Sequence, residues 1–189
     1  MILASQSPRR IELLRETGRA FTVRPADIDE SAHPGEGPFT LVERLAVEKA
    51  EHVAAGARAG ELVLAADTVV TLDGRILGKP ADDDAARSML ASLSGRTHAV
   101  ATGVALVRAG AAPEVLARFT DTCEVSFHEL TDDEIDAYVA SGEPADKAGA
   151  YGIQGRGGRL LVRSIHGDFY TVVGLPIARV HRLLRAHGA

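Results

Sequence analysis

One cysteine, no tryptophan and three lysines stand in a chain of 189 residues. With Cys123 alone, neither an intrachain disulfide nor a cysteine-based metal cluster can form. Cys123 sits in the strand-like run Thr120–Val125 with no activating neighbour, and it reads as structural. No stretch of about 20 apolar residues exists to span a bilayer. The beginning, Met1-Ile2-Leu3-Ala4, turns polar at once, without a charged leader or an apolar run of signal-peptide length. The expected compartment is therefore the cytoplasm, with no membrane partner. Internal repeats, low-complexity tracts and Pro/Ser-rich linkers are also missing, so residues 1–189 are read as one domain or two closely packed lobes.

The aromatic residues are few, five Phe and three Tyr, and they form no clustered stacking platform. Together with a net charge of −5 this argues against a nucleic-acid partner, which would need an excess of Lys and Arg. The seven histidines show no metal-ligand spacing, and the glycine-rich segment Gly152–Gly158 has neither P-loop nor Rossmann spacing. That segment reads as a flexible loop.

What is present is an ordinary globular balance, 46% hydrophobic and 25% charged. Ile2–Ser5 reads as a short strand, followed by a helix with Ser7 as N-cap and Pro8 at its first position, ending at Gly18. Phe21–Pro25 reads as a strand leading to the acidic loop Asp27–Ser31. Thr40 caps a long helix whose buried side carries Leu41, Leu45, Val47 and Val53, with Gly56 at its end. The apolar run Leu62–Ala66 reads as a buried central strand continuing through Asp67–Leu72, and Asp73-Gly74 is a hairpin turn signal. A helix over Asp82–Leu93, strands over His98–Arg108 and Glu114–Phe127, and a capped helix over Thr131–Ser141 follow. Loop residues Lys147–Gly158, a strand Leu160–His166 and a helix Leu175–His187 complete the chain. Helices and strands intermingle with two hairpins, which predicts a mixed α/β sheet.

Two places stand out chemically. Ser5-Gln6-Ser7-Pro8-Arg9-Arg10 forms a strand-to-helix junction, where unpaired N–H groups, two hydroxyls and two guanidiniums suit a phosphate. Arginines in a first helical turn oppose the helix dipole, so capping alone leaves them unexplained. Asp67 ends an apolar run, where an isolated carboxylate is costly to bury. Such a group can hold Mg²⁺ or accept a proton from water. Asp82–Asp84 and Thr131–Glu134, by contrast, read as helix caps, and His98 is assigned no catalytic part.

The basic residues divide unevenly: eighteen are Arg, and only Lys49, Lys79 and Lys147 are Lys. With 31 alanines, a GC-rich coding bias accounts for the scarcity. It does not account for the places that keep lysine. A compact ammonium suits phosphate oxygens in tight sites where Arg cannot replace it.

The segments Ser5-x-Ser7-Pro8-Arg9-Arg10, Ala66-Asp67-Thr68-Val69, Gly78-Lys79-Pro80, Gly95-Arg96-x-His98-x-Val100-x-Thr102-Gly103, Asp146–Gly155 and Val172–Pro176 together resemble the Maf family of nucleoside triphosphate pyrophosphatases, from residue 2 to about 185. The resemblance implies hydrolysis between the α and β phosphates, releasing a monophosphate and pyrophosphate. It implies an elongated mixed α/β fold, similar to the inosine triphosphatase fold, with two lobes around a central cleft and often a homodimer. It assigns Asp67 as proton acceptor, Glu30, Lys49 and Lys79 as further catalytic residues, and Ser7 and Arg10 as phosphate ligands. The form Tyr151-Gly152-Ile153-Gln154-Gly155 is similar to the dTTP/UTP branch, with Arg9, Thr68 and Gln154 at its specificity positions. A divalent metal, Mg²⁺ or Mn²⁺, held by Glu30 and Asp67 would neutralise phosphate charge. A house-cleaning role on dTTP, UTP or modified pyrimidine nucleotides is implied; the alternative is a nucleotide-binding regulator of cell division that does not turn over. The family pattern is broken at Thr171, where Asn is common.

Overall fold

Leu62–Leu72 is one eleven-residue strand, buried almost throughout, as its unbroken apolar run predicts. It is the third of seven strands in a computed structural model that describes residues 1–188; Ala189, at the end of the expected domain, lies outside them. The strands are β1 (Ile2–Leu3), β2 (Thr22–Val23), β3 (Leu62–Leu72), β4 (Arg75–Leu77), β5 (Thr97–Arg108), β6 (Glu114–Phe127) and β7 (Val162–His166). Their hydrogen-bonded order is β2-β1-β3-β5-β6-β7, with β4 on β3. β1 runs parallel to both β2 and β3, whereas β4 is antiparallel to β3 and β7 to β6. The mixed α/β class expected from the sequence is the one observed.

The helices are α1 (Pro8–Arg15), α2 (Pro38–Ala55), α3 (Asp83–Leu93), α4 (Asp132–Ala140), α5 (Gly158–Leu161), α6 (Phe169–Val173) and α7 (Ile177–Ala186). Local chemistry explains most of their ends. Asp82 caps α3 by accepting the Ala85 N–H at 2.8 Å. Thr131 and Glu134 form the reciprocal capping box of α4. Asp73 and Gly74 carry φ of 51° and 77°, as a two-residue turn between twisted strands requires.

Several boundaries differ from expectation. α2 starts at Pro38 behind Gly37, two residues before Thr40, because proline's fixed φ suits the first helical position. Leu160 and Leu161 belong to α5, so β7 begins only at Val162. Helix α6 occupies a stretch the sequence left unassigned. Segment Gly152–Gly158 is ordered by Glu143, whose carboxylate accepts the Gly157 and Gly158 N–H groups at 3.4 and 3.3 Å. It is a pinned loop.

Contacts group the chain into two compact units: Met1–Asp67, Thr102–Asp121 and 174–188 in the first, Thr68–Ala101 and Thr122–Val173 in the second. The first unit's core sets α2 (Ala46, Ala50, Val53) against β1, β3 and β5 (Ile2, Val63, Ala65, Ala105, Val107). Helix and sheet meet closely at Gly103, where a Cβ would overlap the Val42 carbonyl. The second unit's core is built on Leu90, Leu93, Phe127, Tyr138 and Leu161. Within it Phe127, His98 and Tyr151 stack edge to face, and His98 Nε2 bonds the Tyr151 hydroxyl at 2.8 Å. His98 is thus a core histidine. Burial pulls its pKa down to about 4.

Candidate active site

Lys49 lies on the buried stripe of α2 with Val42, Leu45, Ala46 and Val53, at the spacing of a helix face. A lone ammonium there would be costly, and the structure supplies two partners. Its Nζ donates to Asp67 Oδ1 at 2.6 Å and reaches Glu30 Oε1 at 2.8 Å. Asp67 is brought in by β3 and is 8% exposed; Glu30 comes from the irregular segment after β2 and is more open. Three residues from a helix, a strand and a loop therefore meet at one ammonium.

The junction between β1 and α1 adds cations to the same unit. Arg10 points its Nε at the Gly174 carbonyl at 2.8 Å and its Nη1 at Ser5 Oγ at 3.5 Å. Burial lowers the pKa of this guanidinium, opposed by the charges of Asp67 and Glu30 and reinforced by Arg9. Arg10 thus lies in the field of both carboxylates. Ser7 occupies the N-cap position in extended conformation, but its side chain makes no cap bond; its N–H donates instead to Ser5 Oγ at 3.2 Å. Ser7 is the N-cap residue of α1 as expected, with Pro8 at the helix start, but the hydroxyl that accepts a backbone N–H there is that of Ser5, buried just beyond β1.

Of the sequence candidates, Ser7, Arg9, Arg10, Glu30, Lys49 and Asp67 belong to the first unit. Thr68, Lys79 and Gln154 belong to the second. There Lys79 is exposed, and its segment is tied to the glycine loop by the Gly149 N–H, which donates to Gly78 O at 3.0 Å. Gln154 is exposed on that loop, and Arg159 donates to the carbonyls of Gln154 and Gly155 at 2.7 and 3.0 Å. Lys147 bonds Asp146 and the Glu143 carbonyl, so it braces the loop. Thr171 is fully buried in α6.

Sequence reasoning missed Arg44. It grips Glu36 with two bonds of 2.7 Å, pairs with Glu48 at 2.9 Å and donates to the Ser31 carbonyl at 3.0 Å. Those bonds, with the His33 N–H, hold the Glu36 carboxyl down at about 2 and push the Arg44 guanidinium up. The only readable signal is the Arg44–Glu48 spacing on one helix face; the pairing with Glu36 depends on how the loop folds back.

No group of three or more His, Cys, Asp or Glu side chains that could hold a metal ion occurs among the described residues. Glu30 and Asp67 nevertheless converge on one cation, the Lys49 ammonium. Two hard carboxylates fit Mg²⁺ or Mn²⁺, which take one or two protein carboxylates and complete their shell with water and phosphate.

The family model for Maf-like proteins matches residues 1–187. The chain belongs to this family. It is 54% identical over 188 residues to the dTTP/UTP pyrophosphatase of Moorella thermoacetica, covering 100% of this chain and 95% of that one. Identity to the dTTP/UTP pyrophosphatase of Anaeromyxobacter dehalogenans (strain 2CP-C) is 52% over 188 residues, 100% and 94% of the two chains. In fold it is similar to the solved HAM1 protein of Coxiella burnetii, with a TM-score of 0.54 over 98% of each chain at 20% identity. No helix among the described residues is long and apolar enough to cross a membrane.

Proposed function

We propose that this Maf-like chain hydrolyses dTTP and UTP, and modified pyrimidine triphosphates, to the monophosphate and pyrophosphate. The observation that carries the reading is the convergence of Asp67 and Glu30 on Lys49 within a unit that also holds Arg10. Full-length likeness to two dTTP/UTP pyrophosphatases supports it. The enzyme class is a nucleoside triphosphate diphosphatase, acting on the α–β phosphoanhydride bond.

Lys49 occupies Asp67 Oδ1 and leaves the second carboxylate oxygen to accept a proton from the attacking water. Arg9, Arg10 and Lys79 offset phosphate charge by point contacts and guanidinium forks. Ser7 adds a hydroxyl at the start of α1, whose first N–H groups suit phosphate. Gln154, with one amide donor and one acceptor, pairs with the O4/N3 edge of uracil or thymine, and Thr68 and Arg9 complete the pyrimidine preference. Glu30 and Asp67 would hold Mg²⁺ or Mn²⁺, which would supply Lewis-acid polarisation of the phosphates. The reading includes action in the cytoplasm, as a homodimer, on free nucleotides and not on nucleic acid, in keeping with the net charge of −5.

The test is pyrophosphate release from a panel of ribo- and deoxyribonucleoside triphosphates with Mg²⁺ or Mn²⁺. Fastest release from dTTP and UTP is expected. Tight nucleotide binding without release from any of them would leave a non-hydrolysing regulator as the correct reading.

A further inference from the structure

The proposed metal ligand Glu30 stands in fourteen residues, 24–37, that contain neither helix nor strand. Holding one carboxylate at a fixed point in such a segment costs backbone entropy at each ordered residue, so something must anchor it. Arg24 ties the start of the segment to the body of the unit, its N–H donating to Leu3 O at 3.0 Å and its Nη1 to Gly56 O at 2.9 Å. Further along, the bonds within residues 29–36 are short-range: Ser31 N–H to Asp29 Oδ1 at 2.9 Å, His33 N–H to Glu36 Oε2 and Glu36 N–H to His33 O, both at 3.0 Å. They fold residues 29–36 on themselves without fixing them to the body of the unit.

For the turn 31–36, Arg44 supplies the long-range attachment. It projects from α2 five residues before Lys49, with its side chain 18% exposed and that of Glu36 7% exposed. The guanidinium reaches Glu36 through Nε and Nη2, and Nη2 also donates to the carbonyl of Ser31, the residue after Glu30. One planar group thus grips the segment at both ends of the turn 31–36, while Nη1 is held by Glu48 on the same helix. The same helix carries Lys49, which receives the Glu30 carboxylate.

We infer that Arg44 and Glu36 form a positioning clamp that sets Glu30 against Lys49 and Asp67. This rests on the proposed pyrophosphatase reading, in which Glu30 holds the metal. Lysine cannot copy the clamp, because the arrangement needs two parallel N–H donors for one carboxylate and a third direction for a carbonyl.

The test compares the full chain with Arg44→Lys, Glu36→Gln and Glu48→Gln. Glu48→Gln is the control, since it removes only the partner within α2. Hydrogen exchange is read at residues 29–36 without metal or nucleotide, and pyrophosphate release from UTP is titrated with Mn²⁺. Outer-shell partners of metal ligands commonly shift metal affinity by about 10–100-fold. Arg44→Lys and Glu36→Gln are therefore expected to speed exchange at 29–36 and raise the Mn²⁺ half-saturation about tenfold, with little change in KM for UTP. Glu48→Gln should match the wild type in both. The clamp is overturned if exchange and half-saturation stay unchanged in Arg44→Lys and Glu36→Gln, or if Glu48→Gln shifts them equally. No release by the wild type would instead remove the activity reading, and exchange would still report whether the clamp holds the segment. Should Arg44→Lys fail to fold, Glu36→Gln decides alone.

Discussion

Lys49 Nζ lies 2.6 Å from Asp67 Oδ1, and both residues are buried, 8% exposed each. A buried pair of this kind is costly to break, since removing one partner strands the other's charge, at about 3–5 kcal/mol. Here the ammonium also holds Glu30, so three charges share the arrangement.

Asp67→Asn keeps an oxygen where Lys49 donates and removes the proton acceptor. Turnover is expected to fall by roughly 10²–10⁴, the usual share of a general base, with the circular-dichroism spectrum unchanged. Steady-state pyrophosphate release settles it; a wild-type rate would take Asp67 out of the mechanism.

Lys79→Arg tests whether the scarcity of lysine has meaning. If a point charge is needed at Gly78-Lys79-Pro80, kcat should fall on the order of tenfold or more. An enzyme indistinguishable from wild type would make the retained lysine a coincidence of coding.

Gly103→Ala places a methyl group against the Val42 carbonyl and the Glu43 nitrogen, both backbone atoms that cannot rotate away. Overpacking of this kind costs about 1–3 kcal/mol. For a chain of this size that lowers Tm by roughly 2–12 °C. Because α2 carries Lys49, activity should fall at temperatures well below the melt. An unchanged melting curve would show that α2 and β5 can separate freely.

His98 gives the protein an acid-sensitive core. Its folded pKa, about 4, lies below the ordinary 6.5 because burial disfavours the imidazolium. Between those values the unfolded chain binds the extra proton, so stability is complete above about pH 6.5 and declines as pH falls toward 4. The loss at this residue is roughly 3 kcal/mol. Denaturant titrations of the wild type and His98→Gln from pH 4 to 7 should show a slope that the variant lacks. Parallel curves would mean that another group carries the dependence.

Where the sequence was legible, a polar residue interrupted a clear pattern or a turn had a fixed chemistry. The run into Asp67, the Asp73-Gly74 turn and the Thr131/Glu134 box all appear as read. Lys49 was visible through the scarcity of lysine and the family resemblance; its place on the buried stripe with Leu45 and Val53 is seen only in the structure. Glu30 stood in an acidic cluster with Asp27 and Asp29 that reads locally as a solvated turn, and only the family resemblance gave it a role. Arg44 and Glu36 stayed hidden for a related reason. Their pairing spans eight residues across a helix start, and no periodicity predicts how an irregular segment folds back. The start of α2 was misplaced because Thr40 is a good cap in isolation, while Pro38 at the first position carries the helix further back.

The two compact units are each assembled from separated stretches: three runs make the first and two the second, with the chain passing between them after Asp67, Ala101, Asp121 and Val173. Three of these passages fall within β3, β5 and β6. Neither unit can therefore be cut out as a gene fragment, exchanged by one crossover or lost by one truncation. A stop codon anywhere from 68 to 173 removes the last stretch of the first unit, including the Gly174 carbonyl that receives Arg10. For protein engineering, each unit is open to point substitution and to change at surface turns, but not to excision as one contiguous stretch.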